Sequence, residues 1–397
     1  MIAILGVLLL LAAVVLAVPT AVLCTECLLG LLPRRPNHEG VDEKPSAIAV
    51  VIPAHDESSV IGPTVEHLRQ QIGAGDTLLV VADNCGDDTA KIAQEAGATV
   101  IERVDPEHRG KGYALSFAMA YLKEHEVPSA VVIIDADCRI SDGGVRRLAS
   151  LALKTRRPVQ ADYTLDPSPS ASPGARMSAF AFQVRNRIRP RGLERLGGTV
   201  HLAGTGMALP WEVFASAPDM QGHITEDLAL GVELTLSGHG TMLCTDVHVT
   251  SDLAPNQAGQ ATQRQRWESG HLQTLARYVP RLLTQALARR KPRLLLSAID
   301  LAIPPLAMHV TLLLGGCGLG LLGLLLGTSS LPATLFTAEI VGTAASIGLV
   351  WLVAGRDVLR FEDWLSLPGY VLSKIPGYLR LLGRKRDLDW KKTERKT

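Results

Sequence analysis

Three acidic clusters carry much of the chemistry open to this chain. They are Asp56 and Glu57 in Pro53-Ala54-His55-Asp56-Glu57, Asp83 with Asn84-Cys85-Gly86-Asp87-Asp88 behind it, and Asp135-Ala136-Asp137. Carboxylates brought that close repel one another unless a cation sits among them, and a divalent metal carrying a polyphosphate meets that need. Asp also caps helices and closes turns, so each cluster could serve only its own loop. Asp87 and Asp88, just ahead of Thr89, fit that local role. Three clusters together favour a metal and sugar-nucleotide site. Arg109-Gly110-Lys111-Gly112 offers a lysine that can approach phosphate oxygens closely, although the full P-loop spacing is absent.

A second constellation lies downstream. Thr225-Glu226-Asp227 follows Gly204-Thr205-Gly206, a stretch expected to form a flexible substrate loop. A carboxylate such as Asp227 can take the proton from a hydroxyl nucleophile. In a helix Gln263, Arg266 and Trp267 stand at i, i+3 and i+4 and share one face with His271. A guanidinium suits a diphosphate, and an indole offers an apolar surface to a pyranose ring. Trp267 would also serve as a membrane-interface anchor, a role that leaves Gln263 unexplained.

The elements that must hold these groups alternate in type. Runs at 47–53, 77–82, 98–103 and 130–135 are short, continuously apolar and rich in β-branched residues, which predicts buried strands. Helical patterns at 60–71 and 89–97 lie between them, so the expected fold is α/β with a mostly parallel wound sheet. Ligands of such sheets bind at the carboxyl ends of strands, where the acidic clusters fall.

The chain has 397 residues, 40 basic and 39 acidic side chains, 47% hydrophobic residues and a mean hydropathy of +0.19. A net charge of +1 gives no electrostatic ground for nucleic-acid binding, and the apolar fraction excludes a disordered chain. Residues 2–24 carry no charge and are long enough to span a bilayer; a secretory signal is the alternative, but a basic leader is missing. Residues 305–327 and 334–354 predict a helical hairpin, with Glu339 near its link and able to reach water. Arg34 and Arg35, Arg356 and Arg360, and a tail with seven basic and three acidic residues in its last fifteen place the flanks in the cytoplasm and the N-terminus outside. Segments 275–290 and 364–382, the latter broken by Pro368 and Pro376, are expected to lie along the headgroups. Segment 294–303 fits either an interfacial helix or an extension of the second span. The six cysteines suggest no disulfide framework, and Cys24-x-x-Cys27 lacks the second pair that a structural zinc needs.

With these motifs in view, the chain resembles the processive-type membrane glycosyltransferases of family 2, which include cellulose, hyaluronan, chitin and poly-N-acetylglucosamine synthases. The resemblance rests on Asp83, Asp135-x-Asp137, the Thr225-Glu226-Asp227 triplet and Gln263-x-x-Arg266-Trp267, in order, with 35 residues between Asp227 and Gln263. It spans about residues 47–270, and the Trp390-containing basic tail is similar to that of bacterial exopolysaccharide members. It implies a GT-A-type nucleotide-sugar-binding domain at 45–270. Around that domain the hydropathy and charge pattern predicts an N-terminal transmembrane helix at 1–31, interfacial helices at 271–303, a transmembrane hairpin at 304–355, and an interfacial helix and tail at 361–397. Asp83 would bind the uracil or uridine, with Ala54, Glu57, Lys111 and Asp135 completing the nucleotide-sugar pocket. Asp137 and Asp135 would hold Mg2+ or Mn2+ on the diphosphate. Asp227, with Glu226 beside it, would be the catalytic base, and Gln263, Arg266 and Trp267 would hold the diphosphate and acceptor sugar.

The implied reaction is inverting transfer of a hexose or N-acetylhexosamine from a nucleoside-diphosphate sugar, UDP-linked by the resemblance, to a glycan or lipid-linked acceptor at a bacterial inner membrane. Two departures stand out. His55 occupies a place where relatives often have Asn, and three spans are fewer than in synthases that thread their own polymer, which points to polysaccharide-export proteins as partners. A non-catalytic membrane scaffold and a nucleotidyltransferase are the competing readings; the first leaves the base and clamp without a use, the second the Gln263–Trp267 helix.

Overall fold

A computed structural model describes residues 2–33, 47–218, 225–253 and 257–383. Arg34, Arg35 and the basic tail with Trp390 lie outside the described residues. The helices are α1 (Ile2–Gly30), α2 (Ile61–Arg69), α3 (Thr89–Glu95), α4 (Lys111–His125), α5 (Gly144–Thr155), α6 (Pro173–Gln183), α7 (Arg189–Arg195), α8 (Trp211–Ala215), α9 (Glu226–Leu236), α10 (Gln257–Arg289), α11 (Pro292–Ala302), α12 (Leu306–Leu325), α13 (Leu331–Val350) and α14 (Leu367–Gly383). The chain divides into two compact units: Met1–Leu32 with Pro169–Gly198 and His271–Leu388, and Pro33–Ser168 with Thr199–Gly270 and Asp389–Thr397.

The second unit is built on one eight-stranded sheet. Its strands are β1 (Ile48–Ala54), β2 (Thr77–Asp83), β3 (Thr99–Arg103), β4 (Ala130–Ile133), β5 (Cys138–Ile140), β6 (Val159–Asp166), β7 (Met207–Pro210) and β8 (Met242–Asp252), in the order β3-β2-β1-β4-β7-β6-β8-β5. The first four neighbours are parallel, as expected; β7 then pairs antiparallel with β4 and β6, so the whole sheet is mixed. Ile48–Ile52, Leu78–Ala82 and Ala130–Ile133 are buried along their length, which is why both faces carry apolar side chains. The run at 98–103 was expected to be buried too, but β3 is the sheet edge and Thr99 and Glu102 are exposed, because only one neighbour covers it. Since β2, β1 and β4 are adjacent and parallel, Asp83, the residues after Ala54, and Asp135 emerge along one rim.

Among the described residues, the other unit contains three helices long and apolar enough to cross a membrane: α1, α12, and α13 with its π-helical extension to Gly355. Ala13, Leu313 and Phe336 pack together among them. Glu339 does not reach water as its place near the link suggested. It is 8% exposed, on the same α13 face as the buried Phe336, Thr343 and Ser346, and neither carboxylate oxygen has a hydrogen-bond partner among the described residues. In a helix apolar on every side, sequence does not reveal which face turns inward. Segment 294–303 forms a helix of its own, α11, separated from α12 at Pro304 and Pro305. The break expected at Pro376 does not occur; Pro376 lies inside α14, and Pro368 occupies its first turn, where no amide is missed.

Pro169–Gly198 contributes α6, a π turn (Val184–Ile188) and α7 to this unit. Arg189 is almost buried between Glu26 of α1, at 2.9 Å, and Asp300 of α11. Arg176 is bidentate to Asp363, both bonds 2.7 Å. Gly192 lies so close to the Glu26 backbone that any Cβ would collide with it.

Candidate active site

Asp83 ends β2 and is 5% exposed. Its Oδ1 accepts from Arg103 Nη1 at 2.7 Å and from Asn84 Nδ2 at 3.0 Å. Arg103 is its direct register partner on β3 and also bonds Asp105 at 2.9 Å. Sequence reasoning did not single out Arg103; strand pairing was the signal that could have found it. His55 donates from Nδ1 to the Asp83 carbonyl at 2.7 Å, which ties the loop after β1 to the end of β2. Ala54 is buried, and the Glu57 amide donates to Thr89 Oγ1 at 2.7 Å. Asp87 accepts from the Thr89 amide at 3.0 Å and the Ser58 amide at 3.2 Å. Burial opposes its charge, but the hydrogen bonds from Thr89 and Ser58 outweigh it and hold the carboxyl down at about 2.

Lys111 is the first residue of α4, behind Gly110 at φ 128°. Its Nζ donates to Asp135 Oδ1 and, at 2.6 Å, to the Gly204 carbonyl. The stretch 204–206 is therefore no loose loop. Thr205 is fully buried and accepts the Asp135 amide at 3.1 Å; Gln160 Nε2 donates to the Thr205 carbonyl at 2.9 Å and Gln160 Oε1 accepts the Ala203 amide at 2.8 Å. Gly204 has φ +89°, and a Cβ there would stand 3.2 Å from Asp227 Oδ2 and 3.6 Å from Lys111 Nζ. Glu226 and Asp227 open α9, where the helix dipole favours negative charge. Thus Lys111, Asp135, Gly204, Glu226 and Asp227 form one constellation, with Gln160 and Thr205 as supports that only the fold reveals.

Its electrostatics are those of crowded acids around one ammonium. Burial works against the Lys111 charge, but Asp135, Glu226 and Asp227 prevail and raise its pKa. Burial, and then Asp137, raise the Asp135 carboxyl against the pull of Lys111. Glu226 is pushed up to about 7, first by burial and then by Asp227. Asp135, Asp137 and Cys138 offer ligand atoms within 4.8 Å of one another. Burial, with Asp137 and Asp135, holds the Cys138 thiol well above its ordinary value, so the donors are carboxylate oxygens, which fit Mg2+ or Mn2+. A cavity of about 360 Å³ opens beside Glu226 and Asp227.

Gln263, Arg266 and Trp267 are half-buried on α10. Among the described residues, Gln263 and Arg266 make no hydrogen bond to Lys111, Asp135, Glu226 or Asp227. His271, expected on their face, is buried; its Nε2 donates to the Ile303 carbonyl at 3.0 Å, which leaves Nδ1 to accept from Arg185 at 3.2 Å.

A wound sheet with acidic strand ends around a lysine is the GT-A glycosyltransferase fold. The mannosyltransferase PcManGT of Pyrobaculum calidifontis, solved with GDP-Man and Mn2+, shares this fold at 15% identity, with a TM-score of 0.56 over 96% of this chain and 99% of that one. Residues 45–270 match the family described as glycosyltransferase like family 2, and the chain belongs to that family. A 91-residue stretch is 34% identical to the 4,4'-diaponeurosporenoate glycosyltransferase of Staphylococcus aureus strain USA300 and 33% identical to that of the bovine strain RF122. The chain spans about a quarter of the length of these curated relatives, 24%, and the match takes 23% of this chain.

Proposed function

We propose that this glycosyltransferase moves a hexose or N-acetylhexosamine, with inversion, from a UDP-linked sugar to a glycan or lipid-linked acceptor in exopolysaccharide or cell-envelope synthesis. The observation that supports it most is Lys111 held between Asp135 and the Gly204 carbonyl, with Asp227 Oδ2 and Lys111 Nζ both close to where a Cβ on Gly204 would stand. Asp227 takes the acceptor proton as the acceptor oxygen bonds the anomeric carbon, and the bond from that carbon to the diphosphate oxygen breaks. A single displacement inverts the centre. Lys111 supplies the counter-charge that anchors Asp135, and Arg266 faces the leaving diphosphate. Asp135 and Asp137 would hold Mg2+ or Mn2+, which supplies charge neutralisation on the diphosphate. Asp83, with Ala54 and Glu57, serves the nucleoside; Gln263 and Trp267 serve the acceptor.

The catalytic unit faces the cytoplasm of a bacterial inner membrane, a reading supported by Arg356 and Arg360 after the hairpin. Polysaccharide-export proteins would carry the product onward. The test is to incubate the purified full chain with UDP- and GDP-sugars, Mn2+ and a membrane extract, and to measure nucleoside diphosphate release and product size. Release that EDTA abolishes is expected; release of pyrophosphate, or none with any donor, refutes the reading.

A further inference from the structure

The cavity beside Glu226 and Asp227 has a composition that sugar transfer by itself does not account for. Its volume, about 360 Å³, is that of a small-molecule site. Helices α4 and α9 both begin at the charged constellation, and their next turns wall the cavity: Leu115 and Met119 follow Lys111 at i+4 and i+8, and Leu230 follows Glu226 at i+4. Met207 of β7 and Phe214 of α8 complete the floor. The polar side chains on the described lining are Glu226, Asp227 and Ser116. Asp135 and Asp137, the carboxylates suited to a metal diphosphate, are not among its described lining residues.

A hexose carries hydroxyls around its whole ring, and burying them against Leu, Met and Phe leaves them without hydrogen bonds. An apolar skeleton carrying one hydroxyl fits instead, with the hydroxyl against Glu226 and Asp227 and the skeleton against the apolar lining. Two methionines let such a floor adapt to an irregular chain. The same chain carries three helices suited to a bilayer, where amphiphiles concentrate.

We infer that the acceptor is an amphiphile, a hydroxyl group on an apolar chain, whose chain lies in this cavity while Asp227 faces its reacting oxygen. This rests on the glycosyltransferase reading above. The acceptor hydroxyl oxygen gains the glycosyl carbon, its proton goes to Asp227, and the bond from that carbon to the nucleoside diphosphate breaks as the diphosphate leaves.

The experiment uses the full chain in lipid nanodiscs. Geranylgeraniol and hexadecanol are compared with cellotetraose and chitotetraose as acceptors, using whichever donor releases nucleoside diphosphate. Transfer to an amphiphile is expected. Met119→Gln should raise the ratio of acceptor KM to donor KM at least tenfold, and Met119→Leu should restore it. Transfer to the oligosaccharides alone, or a donor KM that rises as much as the acceptor KM, overturns the proposal; the second result places the apolar group on the donor. A diazirine-bearing hexadecanol supplies a readout independent of turnover. Labelling of peptides 111–125 and 226–236 that Ala217→Phe removes supports the site, and labelling confined to α1, α12 and α13 overturns it. Absence of nucleoside diphosphate release with these peptides still labelled would refute the catalytic reading and leave the amphiphile site standing.

Discussion

Lys111 Nζ is bonded to Asp135 Oδ1, across 24 residues of chain, and the same amine holds the Gly204 carbonyl. One ammonium thereby joins the start of α4, the residues after β4 and the bend before β7. Lys111→Met should lower kcat by roughly 100-fold, the scale of losing one preorganised charged group, with the fold retained. Steady-state kinetics beside a circular dichroism spectrum check this; near-normal turnover would show the lysine to be dispensable.

Asp227→Asn keeps shape and hydrogen bonding but cannot take a proton. Nucleotide binding by calorimetry should stay within a few-fold, while transfer falls by about 100-fold or more, the scale of general-base loss. If transfer persists, Glu226 is the base to test next.

Gly204 is held at φ +89° with Asp227 and Lys111 against it. Gly204→Ala introduces both backbone strain and a 3.2 Å contact to Asp227 Oδ2. Displacing the base in this way should reduce kcat by about 100-fold. The melting temperature should fall only a few degrees; a large stability loss with normal specific activity would contradict a positioning role.

Glu226 is raised to about 7 by burial and Asp227. Between the ordinary carboxylate value and about 7 the folded chain keeps a proton that the unfolded chain has released. Stability therefore falls as pH rises through that window and levels off above it. Thermal melts of metal-free protein from pH 5 to 8 should show this decline, and Glu226→Gln should flatten it. Melting temperatures that climb over the same range would reverse the assigned sign.

Arg189 is shared by Glu26 and Asp300, both buried. Arg189→Ala leaves two buried carboxylates facing each other without their cation, at a cost of about 3–5 kcal/mol. Adding Glu26→Gln and Asp300→Asn should recover part of it. No recovery in the triple variant would mean that packing, not charge, dominates.

Residue types and their order singled out Asp83, Lys111, Asp135, Asp137, Glu226 and Asp227 as candidates and predicted alternating strands and helices, because apolar periodicity and acidic strand ends are local signals. The same periodicity located α1, α12 and α13. Pairing across the chain was not legible. Arg103 meets Asp83 through the β2–β3 register, and Gln160 supports Thr205 from a strand far along the chain. The 204–206 bend looks flexible by composition yet is bonded on both sides, and Glu339 looks solvated by position yet is buried. These features depend on which distant surfaces meet, and a hydrogen bond between residues about a hundred positions apart leaves no mark in the residues around either one. The chemistry available to the chain is thus written in its residues, whereas the partners that restrain each group come from long-range packing.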